Sequence, residues 1–125
     1  KFLTIKVINA KSLGSAKSIA FSIANSPLIK TAVAGEDPNW GRIVMGIGKS
    51  GEIVDYKKLK IKLGDFIVAE NGKISDSYNE EKLKEYMKWD SISIEINLKL
   101  GSDAFECFTC DFTHDYIDIN ADYRN

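Results

Sequence analysis

The chain has 125 residues, 44% of them hydrophobic and 28% charged, with a formal net charge of −1. That length suits a single domain spanning 1–125 with a sizeable core, and the apolar share excludes a disordered chain. No apolar run approaches the ~20 residues that cross a bilayer, the first residues lack the apolar centre of a secretory signal, and two cysteines make no disulfide framework, so a cytoplasmic protein without a membrane partner is expected.

Phe2 to Ile8 alternates apolar and polar residues and reads as a strand. Ser12 is a helix cap, followed by an apolar stripe of Leu13, Ala16, Ile19, Ala20 and Ile23. Asn25-Ser26-Pro27 ends that helix, because proline disfavours helical geometry in the residue before it. Leu28 to Ala34 is a short apolar segment of open type.

Residues 35–51, Gly35-Glu36-Asp37-Pro38-Asn39-Trp40-Gly41-Arg42 and onward to Gly48-Lys49-Ser50, end like a phosphate-binding loop. The spacing argues against one. A loop of the form G-x-x-x-x-G-K-[ST] needs glycine at position 43, which is Ile43, and it must precede a helix. Here Trp40, Ile43, Val44 and Ile47 form a helical stripe before Gly48, so carbonyls and not N–H groups face the Gly-Lys-Ser. Asp37 as N-cap, Pro38 at the first helical position and a left-handed Gly48 complete the expected helix.

Residues 58–63 read as a half-buried strand, Gly64-Asp65 as a turn and Phe66 to Ala69 as the returning strand. Asn71-Gly72 is a further turn. Ser77 to Glu80 matches a capping box, opening a helix to about Trp89. Ile92, Ile94, Ile96, Leu98 and Leu100 alternate with polar residues over 91–100, the pattern of a strand with one dry face. Residues 104–112 return as its partner, with an apolar phase shift that predicts a bulge. These elements predict an α+β fold: a mainly antiparallel sheet with helices packed on one face.

Other candidate chemistry reads as structural. Cys107-Phe108-Thr109-Cys110 lies in a predicted strand, where no helix N-terminus lowers a thiol pKa, so both cysteines are expected to be buried small side chains. His114 is the single histidine, too few for a metal cluster with them, and is expected on the surface or in a turn. Glu36 and Asp37 are expected as cap and dipole partner and not as an acid–base pair. Residues 1–62 hold eleven Lys/Arg against four Asp/Glu, and residues 63–125 hold six against fourteen, giving halves of +7 and −8. The lysines are scattered without interleaved aromatics, so no nucleic-acid partner is expected.

Several stretches together resemble one family. Ser22 to Ala32, then Ala34-Gly35-Glu36-Asp37-Pro38-Asn39-Trp40-Gly41-Arg42-Ile43, and later Thr109-Cys110-Asp111-Phe112-Thr113 and Ile119-Asn120-Ala121-Asp122-Tyr123-Arg124, are similar to the ornithine acetyltransferase family. These are bifunctional glutamate N-acetyltransferases of arginine biosynthesis. The resemblance implies acetyl transfer from N-acetylornithine to glutamate through an acetyl-threonine. It also implies self-cleavage of a precursor, which leaves that threonine N-terminal on the β chain with its amine as base. This chain resembles the C-terminal part of the β chain. The nucleophile and the Gly-Glu-Gly-Ala-Thr segment of the family fall before Lys1, so no catalytic residue is assigned here.

The resemblance places substrate-binding roles on Asn120 and on Asn125. The first matches the family's asparagine, and the second stands where the family has Ser or Thr. It implies no metal and no cofactor, and leaves acetyl-CoA open as an alternative acetyl donor. The implied partners are the remaining α and β segments of the same enzyme, in an assembly of two α and two β chains, and amino-acid substrates. The other reading, from the charge polarity and the missing nucleophile, is a non-catalytic interaction or regulatory domain with the same fold.

Overall fold

The computed structural model describes residues 1–112. Its first strand, β1 (Phe2–Ala10), leads through a tight corner into helix α1 (Leu13–Ala24). Ser12 caps α1 as expected, its hydroxyl accepting from the Ser15 N–H at 3.0 Å. The apolar segment of open type is helix α2 (Pro27–Ala34), with the Ser26 side chain accepting from Ile29 N–H and Pro27 at the helix start. Helix α3 (Trp40–Lys49) follows, then β2 (Lys60–Leu63), β3 (Phe66–Glu70) and the short β4 (Lys73–Ile74). Helix α4 (Glu80–Tyr86) leads to β5 (Ser91–Asn97) and β6 (Asp103–Cys110).

The six strands form one sheet in the order β4-β3-β2-β5-β1-β6. The fold is α+β as expected, but the sheet is mixed: β1 runs parallel to β5 while the other neighbouring pairs are antiparallel. The expected pairing of β5 with β6 is corrected. Strand β1 inserts between them, placing Ile5 beside Ile94 on one side and Cys107 on the other. Local alternation marks a strand without naming its neighbour, because pairing is a long-range choice.

The expected bulge exists but lies on the partner strand. Val7 faces Phe105 and Ala10 faces Asp103, so Ile8 and Asn9 together oppose one residue of β6. Asn9 takes φ 55°, its side-chain amide donates to Asn97 Oδ1 at 3.0 Å, and its carbonyl accepts from the Leu100 and Gly101 N–H groups. Gly101 is required there, since a Cβ would lie 2.4 Å from the Ala10 carbonyl oxygen. A second bulge at Val68 explains why Val68 and Ala69 are both buried despite being adjacent.

One face of the sheet carries the core. Leu3, Ile5, Val7, Ile92, Ile94, Ile96, Ile61 and Leu63 are essentially inaccessible there. They join Ala16, Ile19, Ala20 and Ile23 of α1, Ile29 and Val33 of α2, Ile43 and Ile47 of α3, and Leu83 and Met87 beside α4 in one cluster. A buried side chain of this size contributes roughly 1.5–3 kcal/mol. The opposite face presents Phe2, Lys6, Ser91, Glu106, Phe108 and Cys110, all exposed. No helix among the described residues is long and apolar enough to cross a membrane.

Candidate functional site

The Gly-Glu-Asp-Pro-Asn-Trp-Gly-Arg segment forms the corner between α2 and α3. The α2 end is closed by the Gly35 N–H donating to Thr31 O and the Asp37 N–H donating to Ala32 O at 2.9 Å. Glu36 takes φ 58° to turn the chain. The cap of α3 is Asn39 and not Asp37: Asn39 Oδ1 accepts from the Arg42 N–H at 3.2 Å. Asp37 instead supports the cap, its Oδ2 accepting from Asn39 Nδ2 at 3.3 Å. Arg42 then donates from Nη1 to the Leu28 carbonyl at 2.7 Å, locking α3 to the start of α2.

Trp40, half-buried on the next turn, lines a cavity of about 190 Å³ with Val44, Tyr56, Leu59 and Ile61. Gly46 lets α1 and α3 approach, its carbonyl accepting from Ser22 Oγ at 2.6 Å while Ile29 Cδ1 sits 3.1 Å from where a Cβ would be. The segment thus joins α2 to α3, and Gly46 farther along α3 seats it on α1. Its acidic residues also border an open depression shared with Lys84 of α4 and Lys88 just beyond its end.

Gly48-Lys49-Ser50 lies at the C-terminal end of α3, as the spacing argument requires. Lys49 is the last helical residue, and Ser50 Oγ donates to the Ile47 carbonyl at 2.6 Å. Carbonyls crowd this end, so it repels a phosphate. The left-handed residue is Gly51 (φ 76°), three positions after the expected Gly48.

The two cysteines differ from expectation. Cys107 is half-buried against α1, its Sγ 3.8 Å from the Ala20 carbonyl, and Cys110 is exposed on the other face. Three residues apart on a strand, they point to opposite faces. Burial, and next the Glu106 carboxylate, push the Cys107 thiol pKa up, so it is a poor nucleophile. Among the described residues no three His, Cys, Asp or Glu side chains gather as a metal site.

The closing motif begins inside the described region. Asp111 is 5% exposed, and its Oδ1 lies 2.7 Å from the backbone nitrogen of Lys1 at the head of β1. The Asp111 N–H donates to Lys1 O and the Phe112 N–H donates to Lys30 O, so the chain leaves β6 beside α2. The Lys30 ammonium sits 4.6 Å from the Phe112 ring centroid. Asn120 and Asn125, the residues assigned to substrate, lie outside the described residues, as do His114 and Thr113.

Two polar features escaped the sequence reading. Tyr86 Oη accepts from the Ser93 N–H at 2.8 Å where β5 outruns β2, and the Tyr86 ring packs against Gly64, which takes φ 58°. Burial chiefly raises the Tyr86 pKa, and the Asp65 charge raises it further against the Ser93 bond. Ser75, also buried, lies 2.9 Å from Ser77 Oγ, tying β4 to the entry of α4. The place of Tyr86 on the apolar face of its helix, three residues after Leu83, was the available signal for its burial, though not for its hydrogen bond. Ser75 had none.

Comparison with known proteins fits this geometry. The model of the ArgJ family matches residues 1–125. The arginine biosynthesis bifunctional protein ArgJ of Ruegeria pomeroyi is 52% identical over all 125 residues, which cover 31% of its length. ArgJ of Brucella melitensis is 49% identical over the same span, 30% of its length. The crystal structure of arginine biosynthesis bifunctional protein ArgJ from Bacillus halodurans superposes with a TM-score of 0.91 at 34% identity, covering 98% of this chain and 58% of that one. The chain therefore spans about a third of the length of the curated relatives it matches. With the same fold and a match that runs from end to end, the chain belongs to the ArgJ family.

Proposed function

We propose that this chain forms a wall of the substrate pocket of an acetyltransferase that converts N-acetylornithine and glutamate to ornithine and N-acetylglutamate. In this reading a threonine hydroxyl from another segment attacks the acetyl carbonyl. Its proton passes to the departing amine, and ornithine leaves. The glutamate amine then attacks the acetyl-threonine ester and regenerates the hydroxyl. The end-to-end family match carries the reading. It is supported by the local chemistry. Thr31 Oγ1 donates to the Pro27 carbonyl at 2.9 Å, and Thr4 and Thr109 stand inside strands. Each of the three has an amide where a self-activating nucleophile needs a free amine.

The chain's contribution is then scaffold plus amino-acid recognition by Asn120 and Asn125, whose amides both donate and accept, as a zwitterion requires. Acetyl-CoA as a second donor, two α and two β chains per enzyme, and a cytoplasmic setting belong to the same proposal. The test is kinetic, in the complete enzyme carrying this segment. Asn120→Ala is expected to raise KM for the amino acids about tenfold, the loss of a hydrogen bond of about 1.4 kcal/mol. Unchanged kinetics would remove Asn120 from the pocket.

A further inference from the structure

The uncovered face of the sheet is not uniform. Register places Lys6 between Glu95 of β5 and Glu106 of β6, with Lys62 of β2 beside Glu95, a row of alternating charge suited to water. Toward the start of β1 the face changes character. Thr4 stands between Ser93 and Phe108, and Phe2 between Ser91 and Cys110, with no charged side chain among them. Phe2 and Phe108 stack at 5.5 Å between centroids, yet remain 50% and 59% exposed.

Strands β1 and β5 run parallel from Phe2 beside Ser91 to Ile8 beside Asn97, and parallel strands are characteristically covered on both faces; of that length only the end at Phe2 and Thr4 lacks the charges that favour water. Small hydroxyl side chains flanked by two aromatic rings allow a second layer to approach to about 10 Å. We infer that this neutral end of the face, centred on Phe2, Thr4 and Phe108, is the docking surface for the remaining portion of an ArgJ-length polypeptide.

Length argues for that occupant over a second copy. The matched relatives carry more than twice as much chain outside this segment as within it, and the Bacillus halodurans structure has 42% of its chain outside the superposed part. The inference rests on the ArgJ reading, but association and acetyl transfer are separate readouts. A complex that assembles without activity would defeat the proposed function and leave the docking surface standing.

The experiment is co-expression of the tagged chain with the complementary portion of the Ruegeria pomeroyi relative, followed by co-purification. Phe108→Lys and, separately, Thr4→Lys are expected to lower recovery of the complementary portion at least tenfold. Both should leave the melting temperature of the chain alone within a few degrees, since Phe108 is largely exposed and Thr4 stands on the uncovered face, outside the core. Met45→Lys removes an equally exposed apolar side chain from α3, and Lys62→Ala alters the charged row. Both are expected to co-purify normally. Unchanged recovery with Phe108→Lys and Thr4→Lys would overturn the inference, as would equal loss with Met45→Lys. So would a dimer of the chain alone in sedimentation that Phe108→Lys abolishes, which would make a second copy the occupant.

Discussion

The two faces of the sheet follow opposite rules. The helix-covered face is mostly aliphatic, and its side chains are held chiefly by burial, with Tyr86 adding a hydrogen bond to Ser93. The open face mixes lysine, glutamate, serine, threonine and two stacked phenylalanines, and stays at least partly wet. Both arise from the same strands, because successive side chains alternate between faces. A single strand such as β1 therefore carries a folding instruction in Leu3, Ile5 and Val7 and a surface in Phe2, Thr4 and Lys6. Stability belongs to the first set, and the second supplies the surface proposed for docking.

Substitutions can break that division or sharpen it. The largest expected effect is Ile5→Ala, in the middle of the covered face, at about 3–4 kcal/mol from lost burial and the cavity left behind. Gly101→Val should cost about 3 kcal/mol, since its Cβ must displace the Ala10 carbonyl and open the β1 bulge. Urea unfolding measures both, and a change below 1 kcal/mol in either would mean the core is not built as described.

Tyr86→Phe ranks next, at about 1–2 kcal/mol, because it strands the Ser93 N–H. Its pH dependence is also informative. The Tyr86 pKa is raised in the folded protein, so its contribution is complete below the unfolded value of 10.0 and is lost as pH rises through the higher folded value. Tyr86→Phe should therefore flatten the alkaline decline in stability. Asn39→Ala, which removes the α3 cap, should cost about 1 kcal/mol, while Asp37→Ala should cost less. Lys62→Ala on the open face should fall within about 0.5 kcal/mol of zero. Alkylation of the native chain sharpens the contrast at no cost in stability: Cys110, exposed, should react well before Cys107, whose thiol is half-buried and harder to ionise.

Much of this was legible in the amino-acid order. The alternation around Ile92, Ile94 and Ile96, the Ser12 cap and the Gly64 and Asn71-Gly72 turns all appear where local pattern puts them. Local pattern failed where a competing residue stood close by. Asp37-Pro38 is a good helix start, but the Asn39 side chain reaches the Arg42 N–H and takes the cap. Ser77 fits a capping box, but Asn79 reaches Lys82 N–H, and the helix ends at Tyr86 and not near Trp89. It failed wholly for the β1 insertion, because nothing local says that Val7 will face Phe105 across nearly a hundred residues. Cys110 is exposed against the expectation of burial, because three residues along a strand from Cys107 it takes the opposite face. The proposed pocket residues, Asn120 and Asn125, were reached through family resemblance, since two asparagines in a polar tail have no spacing or partner that marks them.

The account stands most directly on an acetyl-transfer assay with N-acetylornithine and glutamate. The chain alone is expected to be silent, and the chain co-expressed with the complementary ArgJ portion is expected to produce N-acetylglutamate. Transfer by the chain alone would contradict the account, as would full activity of the complementary portion without it.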